Sequence, residues 1–515
     1  MSAFAAWCLF AALAQAPPSD YQTALAHVQA GRFGPAIPVL ERLVKESPDD
    51  LKIRNLLGIA LSAGGRRQEA NAHFKAALAL NPKFYPALKN LAVNELSLGE
   101  LESARSHFDE VLKAAPGDPV VHLGLGEIEF ARKNYARASG HYERSGALAF
   151  QEPGAILNLA SAYAELKQPV KAAAILEKVP ADVTAATQFA AGILLARIEE
   201  YAAAARRFER AIDGGYPDAY QAGFNLTLAH VRSANYAAAI RIAEELLARG
   251  HRKAELYNLV SQGYEKAGKT KEAYDALRAA TEIDPKDETN YLDLIALCLE
   301  HQNHELALEI AGVSLRNSPG SHRLHLQRGI VMAVKGEFEE AEKEFRSSTR
   351  LSPQAGLAYA ALGLVLLQTA RHEEAVTLLR ERTTKNPGDA LALWYLAEAI
   401  NRAGAEPGGE PEAEAFRAVQ RSVEVNPKIP QSRTLLGKML LKRGELDTAA
   451  RHLDVALQLD PEDLSATYQL AQVLRKKGDT ERAKELFAKV SKAKAEDRDQ
   501  FMKRGLLRIV REGAQ

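Results

Sequence analysis

Small and large apolar residues recur along this chain of 515 residues with a spacing that predicts pairs of short helices. In one representative stretch, Tyr359, Leu362, Gly363 and Leu366 lie at i, i+3, i+4 and i+7. This spacing places them on one face of a helix. A second apolar stripe follows after a short polar turn and begins with an alanine. The pattern therefore predicts helix–turn–helix hairpins in which two apolar stripes face each other.

The alanine that begins the second stripe recurs every 34 residues over long parts of the chain. It identifies fourteen units, through Ala36, Ala70, Ala104, Ala138, Ala172, Ala204, Ala239, Ala273, Ala307, Ala341, Ala375, Ala415, Ala449 and Ala483. A repeat of this length is typical of stacked helical hairpins that contact mainly their neighbours. Because the array uses almost the whole chain, we expect no separate catalytic domain and no enzymatic activity.

Other positions of the repeat have equally regular chemistry when this alanine is numbered 20. Position 8 is small in nearly every unit, with Ile295 as the exception, and position 24 is mostly bulky; position 15 is often glycine and position 32 is often proline. One unit has Gly329, Phe345 and Pro353 at positions 8, 24 and 32. Small residues at positions 8 and 20 predict close contact of two helices, with the bulky residue filling the remaining space. Glycine at 15 and proline at 32 predict the ends of the two helices.

This combination of residues resembles the tetratricopeptide repeat family. One unit carries the resemblance as Gly329, Met332, Gly336, Phe338, Ala341, Phe345 and Pro353. The resemblance covers about residues 17–497. It implies an all-α fold, an α-solenoid that winds as a right-handed superhelix of about fourteen tetratricopeptide helix–turn–helix repeats with a C-terminal capping helix.

The register of the repeat divides the array into two series. Residues 17–184 hold units one to five, and residues 185–497 hold units six to fourteen. Residues 404–411 are rich in glycine and proline and are expected to form a loop insertion between two helices. Residues 498–515 have an amphipathic pattern, and we expect them to form the helix that covers the end of the stack.

Residues 1–14 resemble an export signal, with an uncharged apolar run that ends in the small-x-small sequence Ala12-Leu13-Ala14. The run is too short to span a bilayer, so we expect no membrane span. No Lys or Arg precedes it, which leaves an apolar tail on a cytosolic protein as the alternative. We expect export to a bacterial periplasm; the sequence does not distinguish retention there from secretion.

The charge balance limits the class of partner. The chain has 66 basic and 66 acidic residues and a pI near 7.2. Such a chain has no overall attraction to nucleic acid. We expect the partners to be other proteins or extended peptide segments, with no nucleic acid. The oligomeric state stays open.

Two motifs suggest cofactors or metals, but the repeat explains both. Residues 263–270 match the P-loop expression, which requires a preceding strand, whereas here Gly268 is the turn glycine of a unit. The pairs His301/His304 and His322/His325 have a spacing that can share a metal. However, His304 and His325 occupy packing positions of the repeat. We therefore predict no catalytic, cofactor or metal site.

Positions 2, 5, 6, 9, 12 and 13 form a second stripe on each first helix. In the resembled family this stripe lines the concave groove. Its candidate peptide-binding residues are Asn55, Asn90, Asn158, Asn225, Asn258, Asp293, Gln327, Trp394 and Gln469. A side-chain amide donates and accepts hydrogen bonds at once, and a row of amides is similar to the asparagine ladders of superhelical family members. Incidental helix polarity is the alternative interpretation.

Basic residues recur at position 13 of the same stripe. They are Arg197, Arg232, Lys266, Arg402, Lys442 and Lys476. Such groups can hold carboxylates of an acidic segment. They can equally be cations that interact favourably with the C-terminal end of a helix dipole. The sequence leaves both interpretations open.

These observations favour a non-catalytic scaffold for protein–protein interaction that binds extended peptide segments in its concave groove. An alternative is a cell-envelope assembly factor for exopolysaccharide or secretion machinery, based on the resemblance and the signal. In that case Trp394 and Tyr468 offer aromatic surface for sugars.

Overall fold

A computed structural model describes residues 19–406 and 408–494. These residues form twenty-eight α-helices and one 3-10 turn (Gly146–Leu148), and they contain no strand. The predicted signal at 1–14 and the predicted capping helix at 498–515 lie outside the described residues.

In chain order the helices make fourteen pairs, each of an odd-numbered first helix and an even-numbered second helix, and we call these pairs hairpins. The first seven hairpins are α1 (Ser19–Gln29), α2 (Phe33–Glu46), α3 (Leu51–Ala63), α4 (Arg67–Leu80), α5 (Tyr85–Ser97), α6 (Leu101–Ala114), α7 (Pro119–Ala131), α8 (Tyr135–Arg144), α9 (Pro153–Glu165), α10 (Pro169–Leu176), α11 (Ala185–Arg197), α12 (Tyr201–Asp213), α13 (Ala219–Arg232) and α14 (Tyr236–Ala248). The next seven are α15 (Ala254–Lys266), α16 (Thr270–Ile283), α17 (Glu288–Glu300), α18 (His304–Asn317), α19 (His322–Lys335), α20 (Phe338–Leu351), α21 (Gly356–Gln368), α22 (His372–Lys385), α23 (Ala390–Arg402), α24 (Glu410–Val425), α25 (Pro430–Lys442), α26 (Leu446–Leu459), α27 (Leu464–Lys477) and α28 (Thr480–Lys494).

The described chain divides into two compact units. One comprises residues up to 251 together with 262–267, and the other comprises residues 252–261 together with 268 onward. The register boundary predicted at 184/185 lies inside the first unit. Within each unit the helices pack mainly on their sequence neighbours. This is an all-α solenoid, as the periodicity predicts.

The repeated alanines lie where the two helices of a hairpin meet. All fourteen are at most 2 % exposed. At position 8, a Cβ added to Gly58 would lie 2.4 Å from Phe74, and one added to Gly329 would lie 2.5 Å from Phe345. The aromatic ring therefore occupies the space that the glycine side chain leaves empty. The close approach predicted from small residues at positions 8 and 20 is confirmed.

The turn inside each hairpin needs a left-handed residue at position 15. Glycines such as Gly336 adopt it with φ of 84°. Six units without glycine place another residue there, with φ between 56° and 65°: Lys133, Lys167, Glu199, Ala234, Gln302 and Ala370. The geometry of the turn thus overrides the preference of these residues for negative φ.

Three hairpins depart from the usual helix lengths. Helix α8 has ten residues and is followed by the 3-10 turn. Helix α10 has only eight residues, and an irregular segment follows it before α11. Helix α23 ends at Arg402, and α24 begins at Glu410. Residues 410 and 411 of the predicted insertion therefore belong to α24. None of the helices in the described ranges has both the length and the apolar character needed to cross a bilayer.

Candidate functional site

In hairpins six and seven the first helix leaves one row of side chains uncovered by its neighbours, whereas in the third and tenth hairpins at least half of the corresponding row is buried. In hairpins six and seven this row contains positions 2, 6, 9 and 13, which are Ala186, Ala190, Ile193 and Arg197 on α11 and Gln221, Asn225, Leu228 and Arg232 on α13. Each of these residues is half-buried or exposed, whereas positions 7 and 8 beside them are buried. We call positions 2, 6, 9 and 13 of the first helices the groove row.

In the first unit, three predicted ligand residues (Asn55, Asn90 and Asn158) form hydrogen bonds between successive first helices. Asn90 Nδ2 on α5 donates to Asn55 Oδ1 on α3 at 3.0 Å. Asn158 Nδ2 on α9 donates to Glu127 Oε2 on α7 at 3.0 Å. Asn90 is only 7 % exposed. These amides join successive first helices, and each uses only part of its hydrogen-bonding capacity in doing so.

The second unit repeats this arrangement once. Asn258 Nδ2 donates to Asp293 Oδ2 at 2.6 Å and lies 3.3 Å from Asn290 Oδ1. The predicted ligand residues Asn258 and Asp293 are therefore brought together, on α15 and α17. In the first unit Asn225 differs, because its Nδ2 donates to the carbonyl of Gln221 in its own helix at 2.8 Å. These amides therefore form hydrogen bonds within the protein, to neighbouring first helices or to their own helix.

Three other predicted residues lie in the second unit without joining that arrangement. Gln327 is only 7 % exposed. Trp394 and Gln469 are half-buried, and the Trp394 ring lies 4.1 Å from the Tyr395 ring. Burial leaves Gln327 little surface for a ligand, while Trp394 and Gln469 remain accessible.

Glu127 is a groove-row residue that the sequence analysis did not identify. It lies at position 9 of α7, where Tyr142 Oη donates to Glu127 Oε1 at 2.8 Å. Burial raises the pKa of the Glu127 carboxyl, and the bonds from Tyr142 and Asn158 oppose that rise. A tyrosine at position 24, where the other thirteen units have an apolar residue, is the sequence signal that points to a hydrogen-bond partner.

A second unpredicted network fixes the connections between hairpins. Position 4 side chains reach back to the carbonyl of the preceding proline at position 32. The pairs are Arg54 Nε to Pro48 at 2.5 Å, His122 Nε2 to Pro116 at 2.9 Å, His325 Nε2 to Pro319 at 3.2 Å, and Arg433 Nε to Pro427 at 2.7 Å. Each bond satisfies a loop carbonyl that has no helical partner.

His122 and His141 continue this network between α7 and α8. Their Nδ1 atoms lie 3.1 Å apart. Since a carbonyl only accepts, His122 Nε2 carries a proton and donates to Pro116. With that proton on Nε2, the tautomer of His122 leaves Nδ1 as the acceptor for the Nδ1–H of His141. Burial, and then the nearby His122, lower the pKa of His141.

The motifs that suggested metals or nucleotides have ordinary positions in the repeat. His325 Nδ1 lies 2.6 Å from Glu344 Oε2, and His301 Nε2 lies 3.3 Å from the hydroxyl of Thr270. In the part of the chain that the structure describes, no three or more His, Cys, Asp or Glu side chains gather as a metal site would require. Residues 263–270 run from the end of α15 into the start of α16, so a helix and not a strand precedes them.

The groove row of hairpins six and seven has an apolar centre. Ile193 is 39 % exposed, and Leu228 is half-buried. Alanines at positions 2 and 6 of α11 leave open space beside Ile193. At one edge Arg197 pairs with Glu165 at 2.6 Å. This surface can receive an apolar side chain at its centre and polar groups at its edges.

Comparison with known proteins identifies the repeat. Three family profiles, each described as "Tetratricopeptide repeat", match residues 62–128 and 440–506, residues 21–83, 326–384 and 412–463, and residues 254–287. Together the matched segments cover more than half of the chain.

Two curated proteins match over short segments. A "Tetratricopeptide repeat and J domain-containing co-chaperone DNJ1" from Fusarium oxysporum is 32% identical over 104 residues, which is 20% of this chain and 20% of that protein. A "Peroxisomal targeting signal receptor" from Candida glabrata is 29% identical over 114 residues, 22% of this chain and 18% of that protein. The chain thus matches about a fifth of the length of these relatives.

Two solved structures are similar over most of their length. The crystal structure of the APC/C hetero-tetramer Cut9-Hcn1 has a TM-score of 0.37 and 14% identity, with 88% of this chain and 95% of that chain covered. The crystal structure of the yeast Tom70 has a TM-score of 0.41 and 16% identity, with 84% and 96% covered.

Proposed function

The chain belongs to the tetratricopeptide repeat family, and from this premise we propose that it is a non-catalytic scaffold that binds extended segments of other proteins along its groove row. The observation that carries the proposal is the surface of hairpins five to seven. There the exposed Ile193 lies on α11, and α11 packs between α9 and α13, which carry Asn158 and Asn225. An apolar contact flanked by amides suits a peptide, which has apolar side chains and a polar backbone.

The dimensions of the two partners are compatible. Packed helices lie about 8–10 Å apart, and an extended peptide advances about 3.3 Å per residue. Successive first helices would therefore meet about every third residue of a bound segment. Side-chain amides at corresponding positions of successive first helices would contact the backbone of the bound segment. Because the backbone is the same for all peptides, these contacts would not select a sequence. Selectivity would come from the side chains that contact Ile193 and Leu228.

The names of the curated relatives support a role in binding other proteins. One is named as a co-chaperone and the other as a targeting signal receptor. Because each match covers about a fifth of the relative, the support concerns the repeat and not the whole activity.

The test is a change of the apolar centre to a charge. Peptides selected from a random display library on the full chain would be titrated against the wild type and Ile193→Glu. We expect the substitution to weaken binding at least about tenfold, because a carboxylate would be desolvated beside an apolar side chain. Val170→Glu is the matched control, since Val170 is 82 % exposed on α10 and outside the groove row. Equal binding by all three proteins would refute the proposal.

We also propose that the protein acts after export to a bacterial periplasm, on the basis of residues 1–14. N-terminal sequencing of the protein from a periplasmic extract tests this. A mature form that begins near Gln15 supports export, and an intact Met1 in the cytosolic fraction contradicts it.

A second candidate function is assembly of the cell envelope, with a glycan as ligand. The half-buried Trp394 ring favours it, because an accessible aromatic ring presents a flat surface to sugars. Removal of residues 1–14 would leave Trp394 as the only tryptophan. Glycan titration monitored by its fluorescence would then separate the two candidates, since an unchanged signal excludes a sugar at this ring.

A further inference from the structure

The groove row changes character in the last two hairpins of the second unit. Its residues there are Gln431, Leu435, Lys438 and Lys442 on α25, and Ser465, Gln469, Gln472 and Lys476 on α27. Three of the eight are lysines and none is acidic. We infer that this surface recognises an acidic segment of a partner protein, an inference that rests on the proposed binding of extended segments along the groove row.

The three lysines differ from Arg197 and Arg402 of the groove row in having no counter-charge among the described residues. Arg197 pairs with Glu165 and Arg402 pairs with Glu398, both at 2.6 Å. Within residues 19–406 and 408–494, by contrast, Lys438, Lys442 and Lys476 form no ion pair and no side-chain hydrogen bond. Their charges are therefore available to a ligand.

Helix-dipole stabilisation does not account for all three. Lys442 is the last residue of α25, and Lys476 lies in the last turn of α27. Both positions suit a cation in an isolated helix. Lys438, however, lies one turn earlier on the same face as Lys442. Like charges at i and i+4 destabilise a helix. A bound anion would therefore reduce the repulsion between the Lys438 and Lys442 ammonium groups.

The neighbours of the lysines favour an extended segment over a single anion. Helices α25 and α27 pack against each other, so the ammonium groups are distributed over two adjacent helices. Gln469 and Gln472 lie on the same row of α27 and supply amides for a peptide backbone. A segment with several Asp or Glu residues matches both features at once.

The restricted extent of the positive charge argues against nucleic acid. Duplex or single-stranded nucleic acid requires a basic surface that follows many phosphates. Here the groove row of α25 and α27 has three lysines, in a chain with equal numbers of basic and acidic residues. A short acidic peptide segment matches this extent.

The test is a titration of the full chain with a labelled dodecapeptide in which every second residue is glutamate. The groove variant combines Lys438→Gln, Lys442→Gln and Lys476→Gln. The control combines Lys428→Gln, Lys484→Gln and Lys492→Gln, which removes the same charge from exposed positions outside the groove row. We expect the groove variant to bind at least about tenfold more weakly and the control to stay within about twofold of wild type. Affinity should fall as ionic strength rises from about 0.05 to about 0.5 M.

Several results would overturn the inference. They are no binding by the wild type, equal weakening in the two triple variants, and equal affinity for a peptide with glutamine in place of glutamate. Tighter binding of single-stranded DNA than of the glutamate peptide would assign the surface to nucleic acid instead. A gain in affinity on changing Glu496, Asp497 and Asp499 to amides would show that the chain's own segment is the occupant.

Failure of this inference is distinguishable from failure of the proposed function. If the glutamate peptide does not bind but display-selected peptides still lose affinity to Ile193→Glu, only the acidic specificity of hairpins thirteen and fourteen is wrong. If Ile193→Glu leaves the affinity of the display-selected peptides unchanged, the proposed function itself is wrong.

Discussion

Asn158 and Glu127 lie on successive first helices and share a hydrogen bond of 3.0 Å from Asn158 Nδ2 to Glu127 Oε2. The other carboxylate oxygen of Glu127 accepts from Tyr142 Oη at 2.8 Å. Asn158, which the repeat pattern assigns to ligand binding, thus also donates a hydrogen bond to the half-buried Glu127 carboxyl. Any test of Asn158 as a ligand residue must separate the two roles.

The half-buried Glu127 carboxyl predicts a pH-dependent stability. Burial raises its pKa in the folded state, so the folded protein retains this proton at pH values where the unfolded chain has lost it. Its contribution to stability therefore falls as pH rises from the ordinary Glu pKa, about 4.3, through the raised value. Glu127→Gln removes this dependence.

Thermal unfolding of wild type and Glu127→Gln between about pH 4 and pH 7 checks this expectation. The melting temperature of the variant, relative to that of the wild type, should rise as the pH rises toward neutral. Exposed Glu481, on α28, provides the control as Glu481→Gln. A difference in melting temperature between Glu127→Gln and wild type that stays constant across this pH range would contradict a raised pKa for Glu127.

The His122–His141 pair predicts sensitivity to acid. The pKa of His141 is lowered in the folded state, first by burial. The unfolded chain therefore takes up the proton at a higher pH, near the ordinary His value of about 6.5. The stabilising contribution is present above that value and is lost as pH falls through the lowered pKa. Chemical denaturation of wild type and His141→Asn near pH 7 and near pH 5 checks this, and we expect a smaller loss in the variant.

The contact between Gly329 and Phe345 predicts opposite effects of the same substitution at two glycines. A Cβ at position 329 would lie 2.5 Å from the Phe345 ring, so Gly329→Ala should destabilise by about 1–3 kcal/mol through overpacking. At Gly263 the nearest side-chain atom would be 3.5 Å away, on Ile240. Gly263→Ala should therefore stabilise by about 0.5–1 kcal/mol through helix propensity. Urea denaturation measures both, and the same sign for both would contradict this account of the packing.

The left-handed turn residue Ala234 predicts a stabilising glycine. Its φ is 59°, a conformation that costs a residue with a Cβ about 1–2 kcal/mol. Ala234→Gly removes that cost. The conformational entropy that glycine adds to the unfolded chain destabilises the protein by less than this gain. Thermal unfolding should show a higher melting temperature. Ala488→Gly, at an exposed site inside α28, is the control and should lower it.

The periodicity of the sequence by itself determined the helix pairs of this protein and the residues at which the two helices of a pair meet. The repeated alanines predict fourteen contact points, and all fourteen are at most 2 % exposed. Positions 8 and 24 predict complementary sizes, which Gly329 and Phe345 have. These features are local, because each depends on residues within one repeat whose spacing the backbone geometry of a helix sets.

Tertiary structure decided which groove-row residues are available to a ligand. The sequence treats Asn90, Gln327 and Gln469 alike, yet the first two are buried and the third is half-buried. The bond from Asn90 to Asn55, the exposure of Ile193 and the absence of counter-charges near Lys438 within the described residues were equally invisible in the sequence. These properties depend on distances between side chains of different hairpins, and the stacking of one hairpin on the next sets those distances, whereas the period specifies only the positions within each repeat.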